Sequence, residues 1–230
     1  MMNNENQELV RLIVDKVLEN LKKEGIIEKK ENIPGVKSEK KKLLAPAEIS
    51  ARHIHISEEH LEKLFGRGYK LNKLKDLSQP GQFAARETIR IIGKKRVLDS
   101  VRILGPCRSR TQVELSISDC YYIGVEPVIR LSGDISGTPG ILIMGPEGYV
   151  ELQEGVIVAK RHLHIEDDLA EIWGLENNSI VSFRVSGVRE LLFSNVIVRR
   201  GPGHKLALHL DTDEGNAAGL KSGTLVELIR

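Results

Sequence analysis

The chain spells Arg-His-x-His twice, as "ARHIHIS" at 51–57 and "AKRHLHI" at 159–165. Four of its seven histidines sit in these two near-copies. In an extended strand, residues i and i+2 project from the same face. His53 and His55 then converge on one point, and His162 and His164 on another, whereas on a helix each pair would diverge. Two imidazoles plus a third ligand leave an open coordination position, the arrangement of a catalytic zinc. A second internal match supplies the third ligand. "ELSISDCYYIG", 114–124, aligns without gaps on "HLDTDEGNAAG", 209–219, which sets Glu114 on His209, Asp119 on Glu214 and Gly124 on Gly219. The candidate sets are His53, His55 and Glu114, and His162, His164 and His209. One H-x-H alone is most simply a solvent-facing strand. Its duplication, with a third ligand at the matched position, favours two metal sites. His60 and His204 lack that support and read as an exposed helix residue and a loop residue.

Arg108 lies six residues before Glu114 in "GPCRSRTQVE". Arginine is the side chain best suited to bidentate phosphate recognition. A surface ion pair is its commoner fate, but a position near a metal strand favours the phosphate reading. Lys94, Lys95 and Arg102 add positive charge just upstream, so the expected substrate is anionic and bears phosphate. Cys107 beside Arg108 could act as a nucleophile. No histidine is near it in sequence to serve as base, and the expectation is a small packing cysteine.

These residues need strands to hold them. From Leu43 onward, short Val/Ile/Leu-rich runs such as "ETIRIIG", "TQVELSIS", "GVIVAKRHLHI" and "KLALHLD" alternate with Gly and Pro, the signature of many short strands. Two short helices are expected, in "SEEHLEKLFG" and "EDDLAEIWGL", each following an H-x-H with acids in its first turn, where they complement the helix dipole. Closely spaced strands favour barrels or sandwiches over a doubly wound sheet. Ahead of this body, residues 5–24 carry an apolar stripe at helical spacing, so 1–27 reads as an amphipathic helix. Residues 28–45, rich in lysine with Pro34 and Gly35, read as a solvated linker. A helix tethered at a distance fits a docking peptide better than the alternative, a helix packed on its own domain or frayed in solution. The two repeats are expected over 46–159 and 160–230.

Composition removes several classes. Lys+Arg 34 against Asp+Glu 32 gives a net charge of +2, and aromatics are only 4%. No basic patch is interleaved with stacking rings, so no nucleic-acid partner is expected. No apolar run reaches the length of a membrane span, and the N-terminus lacks a secretory apolar block. Cys107 and Cys120 suggest neither a disulfide framework nor a CxxC metal site. The chain is expected to be soluble and intracellular.

"SARHIHIS", "LSQPGQFAARE", "LGPCRSRTQVELSISD", "LSGDISGTPG", "GVIVAKRHLHI" and "LHLDTDEGNAAG" together resemble the phosphate propanoyltransferase family, the PduL-type phosphotransacylases, over roughly residues 46–220. The resemblance implies a mainly β protein of two small barrels with short capping helices, in which the strand before His53 joins the C-terminal barrel. It implies interconversion of acyl-CoA plus phosphate with acyl-phosphate plus CoA at two zinc ions, although another divalent metal would fit similar ligands. His53, His55 and Glu114 match the family's first zinc site; His162, His164 and His209 match its second; Arg108 matches its phosphate-binding arginine. Ile49, Ser50, Ala51, Lys95, Arg102 and Asn216 match CoA contacts, with a departure at "GKKRVLD", 93–99, where relatives are expected to have a glycine turn. The implied route is direct: a CoA thiolate at the first metal attacks the acyl-phosphate carbonyl, while Arg108 and the second metal hold the phosphate. The N-terminal helix resembles an encapsulation peptide. That implies a bacterial cytoplasmic enzyme inside a microcompartment, docked to shell or core proteins, with homo-oligomers as a further possibility. The rivals are a metal-dependent acyl-CoA hydrolase and a non-catalytic microcompartment adaptor.

Overall fold

The computed structural model describes residues 42–229 and, ahead of them, Lys16 alone. The expected N-terminal helix and most of the linker lie outside the described residues. Strand β1 begins at Leu44, two residues inside the expected linker, because Ala45 and Ala47 are fully buried and belong to a core.

Fifteen strands and four short helices are described. Beyond β1 (Leu44–Ser50) they are β2 (His53–Ser57), α1 (Glu58–Phe65), β3 (Lys73–Asp76), β4 (Phe83–Ile92), β5 (Val97–Arg108), β6 (Gln112–Leu115), α2 (Ile117–Ile123), β7 (Ile129–Arg130), β8 (Ile141–Met144), β9 (Tyr149–Leu152), β10 (Val156–Ala159), β11 (His162–Ile165), α3 (Asp167–Trp173), β12 (Ile180–Val185), β13 (Leu191–Arg200), β14 (Ala207–Asp211), α4 (Thr212–Ala218) and β15 (Leu225–Ile229). The fold is mainly β, as expected. Only α1 and α3 were expected as helices. α2 and α4 escape periodicity because their buried faces, Asp119, Cys120 and Ile123 in one and Gly215 and Ala218 in the other, carry almost no large apolar side chains; their signal is in the caps. Ser116 and Asp211 each accept a hydrogen bond from the backbone N–H three residues on, and Gly124 and Gly219 close the helices in the left-handed conformation, which glycine adopts without penalty. The run "GVIVAKRHLHI" is also two strands, broken at Lys160–Arg161.

Six strands close a barrel in the order β1-β14-β11-β13-β12-β15, and nine form a curled half-barrel along β7-β10-β6-β2-β5-β4-β8-β9, with β3 on β4. The orders β1-β14-β11-β13-β12 and β10-β6-β2-β5-β4 correspond strand for strand. What differs is the sixth position. β15 pairs with both β12 and β1 and closes the barrel, whereas β8 pairs with β4 and β9 and leaves its sheet open. Each sheet wraps its own core, one around Ile54, Ile56 and Ile103, the other around Leu163, Phe183 and Val198.

The duplication is also exchanged. β1, which precedes the first H-x-H, pairs in parallel with β14 of the second copy, Glu48 beside His209. β10, which precedes the second H-x-H, pairs in parallel with β6 of the first copy, Ile157 beside Glu114. The chain thus crosses between the two sheets at Ala51–Arg52 and again at Lys160–Arg161, one residue before each histidine pair.

Candidate metal centre

Strand pairing assembles both triads. On β2 and β6, antiparallel, His53 lies opposite Glu114; on β11 and β14, antiparallel, His162 lies opposite His209. Directly opposed residues of such a pair are the closest cross-strand neighbours. The second histidine of each pair follows two residues on, with Ile54 and Leu163 between them turned to the cores at 0% exposure. In each triad the three candidate donor atoms lie within 4.8 Å of one another. Five of the six side chains are buried, and His209 is half-buried. Each triad can hold a metal ion.

The surroundings fit an ion. His53 Nδ1 is 2.9 Å from the Ala51 carbonyl, and His162 Nδ1 is 2.8 Å from the Lys160 carbonyl. A carbonyl only accepts, so both Nδ1 atoms carry a proton and Nε2 is the atom of each ring left to act as a ligand. His164 is buried, yet neither of its ring nitrogens has a hydrogen-bond partner among the described residues. An orphaned buried imidazole costs free energy that coordination would recover. Around Glu114, Gln112 and Ser132 both donate to Oε1, at 2.6 and 3.0 Å. Oε2 faces His53 Nε2 at 3.4 Å.

Charge differs between the triads. Burial holds the second triad neutral, helped by the neighbouring imidazoles at His162 and His164 and, against the pull of Glu114, by Arg199 at His209: His162 and His209 are pushed down to about 4 and His164 to about 2. In the first triad burial pulls His53 down, but the charge and hydrogen bond of Glu114 outweigh it and the net shift is upward. Burial pushes Glu114 up, but His53 outweighs it and the carboxyl falls well below its usual range. Burial and the nearby His53 push His55 down to about 3.

Both triads line one cleft of about 780 Å³ between barrel and half-barrel. Arg108 stands in its wall, its Nη1 donating to Ser132 Oγ at 3.1 Å. Ile49, Ser50, Ala51 and Arg102 also line it, whereas Lys95 and Asn216 do not. Arg102 donates to the carbonyls of Ala85 and Arg86. Lys95 is exposed on the β4–β5 turn, where its amide donates to Ile123 O and its side chain covers Gly124. Asn216 is exposed on α4.

Several residues around the triads had no sequence signal. Gln79, Ser132 and Arg199 line the cleft and Gln112 supports Glu114; they come from separate segments, and none falls on the H-x-H spacing or at a matched position of the repeat. Gln79 is buried, bonds Lys205 through both ends of its amide and brings its Nε2 to 3.4 Å from His209. One histidine is placed differently from expectation. His60 is half-buried and its Nδ1 lies 2.8 Å from Thr111 Oγ1, so it is not an exposed helix residue. His204 lies in the loop between β13 and β14, as expected, and its ring stacks on His164, centroids 4.2 Å apart and planes at 11°. Burial, then Glu58, raises the Cys107 thiol pKa, which disfavours a thiolate there.

A duplicated β-barrel architecture with two His-rich triads and an arginine on a shared cleft defines a class suited to metal-assisted handling of anionic substrates. A family profile described as phosphate propanoyltransferase matches residues 46–221. A phosphate propanoyltransferase of Sebaldella termitidis is 51% identical over 183 residues, 80% of this chain and 87% of its own. One of Thermotoga maritima is 49% identical over 182 residues, 79% and 87%. One of Clostridioides difficile is 41% identical over 224 residues, 97% and 99%. The chain belongs to the phosphate propanoyltransferase family and is an enzyme of that phosphate acyltransferase type.

Proposed function

We propose that the chain interconverts acyl-CoA plus phosphate with acyl-phosphate plus CoA, propanoyl or acetyl, in the cleft shared by the two triads. The observation that carries this reading is the convergence of both triads and Arg108 on that one cleft, in a chain of this family. His53, His55 and Glu114 would hold one divalent ion and His162, His164 and His209 the other; zinc suits such ligands. When bound, these ions supply Lewis acidity, which lowers the pKa of a ligating thiol and neutralises phosphate charge.

The chain's own groups account for the rest. The guanidinium of Arg108, oriented by Ser132, grips the phosphate with its planar fork. Arg199, on the opposite wall, adds positive charge. The CoA sulfur, its proton released to solvent, attacks the acyl carbon. The carbon–sulfur bond forms, the carbon–oxygen bond to phosphate breaks, and Arg108 stabilises the charge of the departing phosphate. No acyl-enzyme is required. Ile49, Ser50, Ala51 and Arg102, which line the cleft, would meet the CoA moiety. Lys95 and Asn216 would reach only a distal part of CoA. The amphipathic pattern of residues 5–24 supports docking to microcompartment shell or core proteins and work inside that compartment in the bacterial cytoplasm. No helix among the described residues is long and apolar enough to cross a membrane.

Metal-replete protein incubated with propanoyl-CoA or acetyl-CoA, with and without phosphate, tests the reaction. The expected result is CoA release that requires phosphate, with acyl-phosphate formed in equal amount. Release without phosphate would assign a hydrolase instead, and no release from protein holding two metals would favour the adaptor.

A further inference from the structure

The arginine of each Arg-His-x-His motif has no part in the chemistry above, yet both copies keep it. Arg52 Nη2 meets Asp119 Oδ1 at 2.9 Å, and Arg161 Nε meets Glu214 Oε1 at 2.6 Å. Asp119 and Glu214 are the residues matched by the internal repeat. Each occupies the third position of a helix, α2 or α4, and each donates its backbone N–H to the cap, Ser116 or Asp211. Each cap lies two residues after a triad's third ligand, Glu114 or His209. Each arginine, in turn, directly precedes the triad's first histidine and directly follows the residue, Ala51 or Lys160, whose carbonyl accepts that histidine's Nδ1 proton.

One ion pair per copy therefore ties the strand that supplies two ligands to the helix that anchors the third. It does so where the chain passes from one sheet to the other, since Ala51–Arg52 and Lys160–Arg161 fall between strands. We propose that Arg52 and Arg161 are positioning residues, each fixing the geometry of its own triad for metal binding. This rests on the reading of the triads as metal sites. The two clamps are unequal. Arg161 also donates to Ser194 O at 2.9 Å and lies over the Phe193 ring, 5.4 Å from its centroid. Arg52 is the more exposed of the two arginines. The second triad depends more heavily on its arginine.

Zinc itself is the probe, with affinities for the two sites resolved by competition with a chromophoric chelator. Wild-type full-length protein is expected to bind two zinc ions, and His164→Ala only the ion of the first triad. Arg161→Ala weakens one ion by about tenfold or more, the range for residues that orient ligands from outside the coordination sphere. In the His164→Ala background, Arg161→Ala leaves the remaining ion unchanged while Arg52→Ala weakens it. Glu214→Gln repeats the Arg161→Ala effect, because it removes the charge but keeps a side chain able to complete the helix cap. Arg161→Lys recovers part of the loss. Two zinc ions at wild-type affinity in Glu214→Gln, or in a folded Arg161→Ala, overturn the inference. Failure of the wild type to bind two ions overturns instead the metal reading on which the proposed function stands.

Discussion

At the residue scale, the two triads differ in what a metal must displace. The second is already neutral in the folded chain, with His162 and His209 near 4, so an ion enters without expelling a proton at pH 6. The first holds a proton on His53, whose pKa is raised, and that proton must leave. Zinc affinity at the first triad should therefore fall by about tenfold per pH unit below the His53 pKa, while the second holds until close to pH 4. Zinc titration at pH 8 and pH 6 checks this; two sites weakening in parallel would contradict it. The same shifts set metal-free stability. Unfolded histidine titrates near 6.5, so as pH falls from 6.5 toward 4 the unfolded chain gains protons that the folded second triad refuses. Stability of the metal-free protein drops across that window, which thermal melts at stepped pH would record.

In the proposed reaction, phosphate handling turns on Arg108. Arg108→Lys keeps the charge but loses the planar fork and its tie to Ser132. Turnover should fall roughly a hundredfold or more, as when a preorganised donor to developing charge is lost, with both metals retained. Steady-state rates at saturating phosphate, with metal analysis, test this.

At the element scale, the short helices act as brackets for ligand strands. α4 starts at Asp211, two residues after His209, and its capping box pairs Asp211 with Glu214 in both directions. Asp211→Ala should cost about 1 kcal/mol of stability, read from the urea midpoint at unchanged slope. An unchanged midpoint would mean that strand pairing alone holds the end of β14. Periodicity predicted α1 and α3 because their apolar spacing extends over a full face. It could not predict α2 and α4, which bury Asp119 and Cys120, or Gly215 and Ala218, where a periodic helix would show large apolar side chains; their caps and glycine stops are the legible signal.

At the scale of the whole molecule, the body that carries both triads begins at Leu44. Deleting residues 1–27 should leave phosphate-dependent CoA release unchanged in solution and alter only assembly or targeting. Activity assays beside light scattering on both forms test this, and a large loss of turnover would place the segment in catalysis. The cleft itself exists only at this scale, since its two walls belong to two sheets that each bury a separate core.

The sequence by itself determined the two candidate triads. Side-chain alternation in a strand is a local property, and duplication repeats it, so His53, His55, His162 and His164 and their partners Glu114 and His209 were legible from spacing alone. Arg108 was legible by its residue type beside that pattern. The family resemblance implied that β1 joins the second sheet; only the tertiary structure decided that β10 makes the reciprocal exchange, that one sheet closes where β15 bridges β12 and β1, and that Gln112, Ser132, Gln79, Arg199 and His204 gather around the triads. Those facts depend on pairings between residues far apart in the chain, which no local period encodes. The role of the motif arginines belongs with them, because Arg52 and Arg161 acquire meaning only when Asp119 and Glu214 are folded against them.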